Sequence, residues 1–206
     1  MLQFSILNSQ FLHSFFFTPK PLYLLLFLST PVSIHDKTFE PLLHEEQIRK
    51  RVKGVAARIN AELADVCPLF VAVLNGSFMF AADLLRDITI PCEISFVRLE
   101  SYSGMQSTGE VKGAIGLTQN IEGRTVVIIE DIVDTGKTID ALINTLQAHA
   151  PAAIHVATAF MKPGVYNLSH EVRYVAAEIG DEFVVGYGLD YNQQGRNLKH
   201  LYVLQS

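Results

Sequence analysis

Four β-branched apolar residues, Val126-Val127-Ile128-Ile129, run straight into Glu130-Asp131-Ile132-Val133-Asp134-Thr135-Gly136-Lys137-Thr138. No stretch constrains the fold more. An apolar run without polar alternation is a strand buried on both faces of a parallel sheet, which requires helices above and below it. The strand is expected to stop at the adjacent carboxylates Glu130 and Asp131, with a turn following. Ile139, Leu142, Ile143 and Leu146 then recur at helical spacing, so a helix is predicted from about Thr138. Ligands of open α/β sheets bind outside the carboxyl ends of strands, and this is such an end. The amides and hydroxyls of Thr135, Gly136, Lys137 and Thr138, at a helix N-terminus, can wrap a phosphate.

An ordinary strand-turn-helix with solvated acidic residues has the same local pattern. A Walker A loop is excluded, because Asp131 stands where that pattern needs glycine. The carboxylates Glu130, Asp131 and Asp134 tip the balance. Together they repel a bare phosphate but suit Mg²⁺ and the hydroxyls of a sugar.

A chain of 206 residues suits one domain with a sizeable core and a small appendage. Its net charge of −5 offers no electrostatic footprint for nucleic acid. Cys67 and Cys92 form no metal or redox motif, so a reduced, cytoplasmic setting is expected. The seven histidines lack ligand spacing, and no zinc site is assigned.

Residues 1–33 differ from the rest. They hold six of the thirteen phenylalanines and one formal charge, Lys20. The apolar run Leu22 to Leu28 is too short to span a membrane, and no basic segment precedes it as in a signal peptide. The expectation is an extension outside the fold, translated from upstream of the natural start or serving as a targeting segment. Residues 34–206 form the expected domain.

Within it, Ile48, Val52, Val55, Ala56, Ile59 and Leu63 make one apolar helical face. Leu69 to Leu74 is the first core strand, ending in Asn75-Gly76-Ser77, with a helix over Phe78 to Leu85; a second anion cradle at that turn is plausible. Glu93 to Leu99 and Ile154 to Phe160 are strand-like, and Val172 to Ile179 and Phe183 to Tyr187 are the last apolar runs. The glycine-punctuated segment Ser101 to Gly116 reads as a mobile loop or loose hairpin, either a solvated connector or a closing loop. Alternating strands and helices favour an α/β fold with a doubly wound, mainly parallel sheet, the late segments returning as a flap over the strand ends.

The sequence Glu130-Asp131-Ile132-Val133-Asp134-Thr135-Gly136-Lys137-Thr138 closely resembles the phosphoribosyl-pyrophosphate motif of type I phosphoribosyltransferases, specifically their hypoxanthine-guanine form. The resemblance runs from about Ile34 to the C-terminus. It implies a parallel-sheet core with a small hood built from the two chain ends. It also implies Mg²⁺-dependent transfer of ribose 5-phosphate from phosphoribosyl pyrophosphate to a 6-oxopurine, in a homodimer or homotetramer, with no nucleic acid or membrane partner.

Carried over by residue, the resemblance implies that Thr135 to Thr138 hold the 5-phosphate. Glu130 and Asp131 serve the ribose hydroxyls and Mg²⁺, and Asp134 is the general base near purine N7. Lys162 donates to the exocyclic oxygen, Phe183 stacks on the ring and the Val184 backbone meets its edge. Asp190, beside the base, takes the second metal, and Arg196 takes pyrophosphate together with Asn75, Gly76 and the closing loop at Ser101-Tyr102. Relatives often carry a basic residue at position 75; here the loop offers amides without that charge. A phosphoribosyl-pyrophosphate-sensing regulator of the same fold, and a relative acting on xanthine or pyrimidines, are the alternatives.

Overall fold

The computed structural model describes residues 30–98, 116–167 and 170–205. The described chain opens on two antiparallel strands, β1 (Val32–Ile34) and β2 (Lys37–Leu43), with Val32 opposite Phe39. The expected extension at 1–33 therefore overlaps β1 by two residues, Val32 and Ser33. Helix α1 (Glu45–Glu62) follows, opened by a capping box in which His44 N–H donates to Gln47 Oε1 at 2.9 Å. Glu45 and Glu46 complement the dipole in its first turn, and Ile48, Val52, Val55, Ala56 and Ile59 form its buried face.

The core sheet then builds in βα steps: β3 (Leu69–Leu74), α2 (Phe78–Arg86), β4 (Glu93–Arg98), β5 (Thr125–Val133), α3 (Lys137–Gln147), β6 (Ala153–Met161) and β7 (Tyr174–Glu178). All five strands are parallel, in the order β4-β3-β5-β6-β7. Phe70, Ala72, Val127 and Ile129 pack with α1 and α2 on one face. Leu69, Val71, Val126 and Ile128 pack with α3 on the other. This alternating burial explains the unbroken apolar run of β5.

The chain steps one way from β3 to β4 and the other way from β3 to β5. The topological switch point thus lies between β3 and β5, and their carboxyl ends flank the crevice where α/β sheets bind ligands.

Two short strands, β8 (Val184–Val185) and β9 (Leu201–Leu204), return to the N-terminal hairpin. They form a second, antiparallel sheet, β1-β2-β9-β8, with its own small core of Ile34, Phe39, Val185 and Tyr202. Both chain ends build this hood, as the resemblance implied. Among the described residues, no helix is long and apolar enough to cross a membrane.

One local expectation is corrected, and the last apolar runs resolve into shorter strands. The central strand does not stop at Glu130 and Asp131 but runs on to Val133, because Ile132 and Val133 still pair with Phe160 and Met161. The run Val172 to Ile179 contributes only Tyr174–Glu178, and Phe183 to Tyr187 only Val184–Val185, since positive φ at Gly186 and Tyr187 turns the chain.

Candidate active site

The end of β5 bears the acidic residues in contrasting settings. Glu130 is buried, and its Oε2 has no hydrogen-bond partner among the described residues. Burial, and then the neighbouring Asp131 charge, hold its carboxyl well above the usual range. Asp131 Oδ1 accepts from Ile132 N–H at 2.8 Å. Burial pushes its carboxyl up to about 6, against hydrogen bonds from Ile132 and its own N–H and the charge of Arg196; Asp190 adds to the rise. Asp134 is exposed, beyond the strand.

The turn after Asp134 is shaped by Gly136, whose φ of 83° lies in the left-handed region that side chains avoid. Gly136 is the N-cap of α3 and has no side chain of its own with which to cap the opening amides of the helix. Thr135, Lys137 and Thr138 are exposed around it.

Lys162 is placed by β6. Its N–H donates to Val133 O at 2.9 Å, which ties the end of β6 to the end of β5. The residue is only 7% exposed, and its Nζ lies 3.3 Å from Asp181 O and 3.6 Å from Asp134 Oδ2. A plain surface cation would be neither buried nor directed at the acid just past the end of β5. Phe183 is 46% exposed, with its ring edge-on to Tyr191 at 5.9 Å. Leu204 N–H donates to Phe183 O at 2.9 Å, which makes Phe183 and Leu204 a bonded pair of the antiparallel ladder. Val184, opposite Val203, is then a non-bonded pair, and its backbone N–H and C=O point to the open edge of the hood sheet.

The other side of the crevice comes from the β3–α2 turn, where the Leu74–Asn75 peptide is cis. Gly76 touches both neighbours. A Cβ there would sit 1.4 Å from Asp131 Oδ2, and a Cβ on Gly188 would sit 2.0 Å from Gly76 O. Arg196 donates from Nη1 to Gly188 O at 2.8 Å and pairs through Nη2 with Asp190 Oδ1 at 2.5 Å. Asp190 Oδ2 also accepts from Gln193 N–H at 2.7 Å. A cavity of about 1050 Å³ opens on this side, lined by Val32, Ile34, Leu74, Asn75, Phe78 and Arg196 among others. It borders the expected pyrophosphate end and does not include Lys162 or Phe183.

The structure thus gathers Glu130, Asp131, Asp134, the 135–138 turn, Asn75, Gly76 and Lys162 at the strand ends of one sheet. The hood contributes Phe183, Val184, Asp190 and Arg196. Ser101 and Tyr102 lie outside the described residues. Sequence reasoning passed over Gly188, although a Gly-Tyr-Gly turn is a sign of close backbone approach.

The donor set fits Mg²⁺. Among the described residues, no group of three or more His, Cys, Asp or Glu side chains forms an all-protein cage. Mg²⁺ is commonly held by one or two carboxylates with water and substrate phosphates, and Glu130 retains a buried oxygen without a partner among the described residues.

A model of the phosphoribosyl transferase domain matches residues 39–192. The hypoxanthine-guanine phosphoribosyltransferase of Streptococcus agalactiae serotype V is 41% identical over 165 residues, which are 80% of this chain and 92% of the relative. The bifunctional protein TilS/HprT of Listeria innocua is 36% identical over 174 residues, 84% of this chain but 27% of the relative. The crystal structure of a hypoxanthine-guanine phosphoribosyltransferase from Bacillus anthracis superposes with a TM-score of 0.72 at 35% identity, covering 81% of this chain and 97% of that one. Motif, fold and relatives agree: the chain belongs to the phosphoribosyl transferase domain family, among the hypoxanthine-guanine phosphoribosyltransferases.

Proposed function

We propose that this protein transfers ribose 5-phosphate from phosphoribosyl pyrophosphate to hypoxanthine or guanine, giving IMP or GMP and pyrophosphate in purine salvage. The observation that carries the reading is the buried Lys162 ammonium, 3.6 Å from Asp134 and at the mouth of the phosphate-type turn. An ammonium has donors only, and a 6-oxopurine presents a carbonyl to it. Asp134 takes the proton from the purine ring nitrogen, a role supported by its being the most exposed of the three β5-end acids.

Phe183 offers its open ring face for stacking, and Val184 offers backbone groups to the purine edge. The 135–138 turn holds the 5-phosphate with uncapped amides, and Glu130 and Asp131 face the ribose hydroxyls. Asn75 and Gly76 supply amides to pyrophosphate, and Arg196 meets its growing negative charge. Glu130 and Asp131 would hold one Mg²⁺ and Asp190 would help to hold a second, and the metal would neutralise charge on the leaving pyrophosphate when bound.

The regulator reading is not favoured. Its purine pocket need not be kept, whereas Lys162, Phe183 and Asp190 are all present here beside a net charge of −5. Self-association into a homodimer or homotetramer is part of the proposal; it is supported by Phe78, Ile94 and Phe96, apolar side chains left 42%, 37% and 46% exposed at α2 and the edge strand β4. A cytoplasmic setting is supported by the free, exposed thiols of Cys67 and Cys92.

The test is Mg²⁺-dependent pyrophosphate release from phosphoribosyl pyrophosphate with each of the five natural bases. Turnover is expected with hypoxanthine and guanine. Turnover with none of the bases, or with adenine or a pyrimidine instead, would overturn the reading.

A further inference from the structure

We propose that Tyr187 and Asp83 are a positioning pair that holds the two halves of the pyrophosphate end of the site together. Neither residue is placed to touch a ligand. Tyr187 is 1% exposed, and its hydroxyl donates to Asp83 Oδ2 at 2.9 Å. The other oxygen of Asp83 accepts from Arg86 Nη1 at 3.1 Å, within the same helix. Burial, then the charge of Asp83 and its hydrogen bond, push the phenol far above its ordinary range, so it remains a donor at all neutral pH values. The Tyr187 ring also stands edge-on to Phe160 at 6.0 Å.

What makes this bond more than a core contact is what each end carries. Asp83 lies on α2, which starts directly after Asn75-Gly76-Ser77. Ser77 is buried; its Oγ donates to Val73 O of β3 at 2.6 Å and its C=O accepts from Ala81 N–H of α2 at 2.8 Å, so the pyrophosphate turn is joined to both the strand end and the helix start. Tyr187 lies at the apex of the hood turn, with its φ at 49°, a conformation that bulky residues adopt only when their surroundings impose it. Its N–H donates to Leu198 O at 2.8 Å, and the next residue, Gly188, donates to Arg196 O at 3.0 Å. Gly188 O in turn accepts from the Arg196 side chain, while its Cα lies against Gly76 O. The hydroxyl therefore pins the turn that orients Arg196, and with it Asp190, to the helix that orients Gly76. Loosening it separates those halves while leaving Lys162, Asp134 and the 5-phosphate turn on the sheet.

The inference rests on the proposed transferase function for its substrate names. Tyr187→Phe removes one oxygen and keeps the ring. The KM for phosphoribosyl pyrophosphate, and for pyrophosphate in the reverse direction, should rise about tenfold, the worth of a part-buried hydrogen bond to a charged group. The KM for hypoxanthine should stay within about twofold. Asp83→Leu should reproduce this profile, and the double variant should be no worse than either single one. Asp83→Asn, whose amide oxygen still accepts, should recover to within about threefold of the parent.

A second readout needs no turnover: the rise in melting temperature that magnesium pyrophosphate gives the parent protein should shrink in Tyr187→Phe and return in Asp83→Asn. If the parent shows no turnover but this pattern holds, the function fails and the pair stands. Equal changes in both substrate KM values, or an unchanged pyrophosphate response in Tyr187→Phe, would overturn the pair.

Discussion

The Asp131 carboxylate fills the space that a side chain on Gly76 would need: any β-carbon there would lie 1.4 Å from Asp131 Oδ2. The turn after β3 and the acid at the end of β5 therefore have one mutual arrangement, and it exists only because position 76 has no side chain. Gly76→Ala should displace the carboxylate by about 1 Å or more and cut kcat/KM for phosphoribosyl pyrophosphate on the order of 10²-fold. Steady-state kinetics and a melting curve check this; a variant as active as the parent would show that Asp131 has no fixed role.

Asp134→Asn preserves shape but cannot accept a proton. Forward turnover should fall roughly 10²- to 10⁴-fold, with far less change in phosphoribosyl pyrophosphate binding. Calorimetric titration beside single-turnover kinetics separates the two effects, and near-normal turnover would remove Asp134 from the mechanism.

Lys162→Gln exchanges a group with donors only for one that presents either a donor or an acceptor. Discrimination built on such a hydrogen bond can reach about 10⁴-fold, because the wrong base leaves buried polar groups unpaired. The ratio of kcat/KM for hypoxanthine over adenine should narrow in the variant. An unchanged ratio would place specificity elsewhere in the pocket.

The folded carboxyl of Asp131 titrates at about 6, above its unpaired value of 3.8, mainly because burial disfavours its charge. Folding therefore favours the protonated form. The stabilisation is fully present below 3.8 and is lost as pH rises through about 6; Glu130 is shifted in the same direction. Without divalent cations, Asp131→Asn should melt increasingly above the parent between pH 4 and 7, by a few degrees at the upper end, on the order of the shift expected for a chain this size. A difference that is flat or shrinks with pH would contradict this.

Deleting residues 1–29 is expected to leave turnover and melting temperature nearly unchanged, whereas deleting 1–34 should lower the melting temperature by several degrees. The second deletion removes β1, whose Ile34 is 6% exposed in the hood core. A large loss from the shorter deletion would show that the extension packs on the domain.

Much of this protein was legible in the chain alone. The run Val126 to Ile129 dictated a strand covered on both faces, and the turn at Gly136 dictated a helix start, since both depend on local sterics and hydration. Leu69–Leu74 was delimited correctly for the same reason: six apolar residues between Pro68 and Asn75 leave little choice of ends. The chemistry of the 130–138 motif was also local, because its acids and its turn are neighbours in sequence.

Only the tertiary structure decided what the acids experience and what joins the two sheets. Whether Glu130 is solvated or buried depends on elements from elsewhere in the chain, and burial is what raises its proton affinity. The continuation of β5 through Ile132 and Val133 came from pairing with Phe160 and Met161, partners 28 positions away in sequence that no local pattern reveals. Val32–Ile34 and Leu201–Leu204, at opposite ends of the described chain, are too short to hold a strand alone and do so because the hood sheet supplies their hydrogen-bond partners. The contacts Gly76–Gly188 and Asp83–Tyr187 likewise span more than a hundred residues. Sequence sets the local conformations that are cheap, but hydrogen bonds and burial between distant segments choose among them.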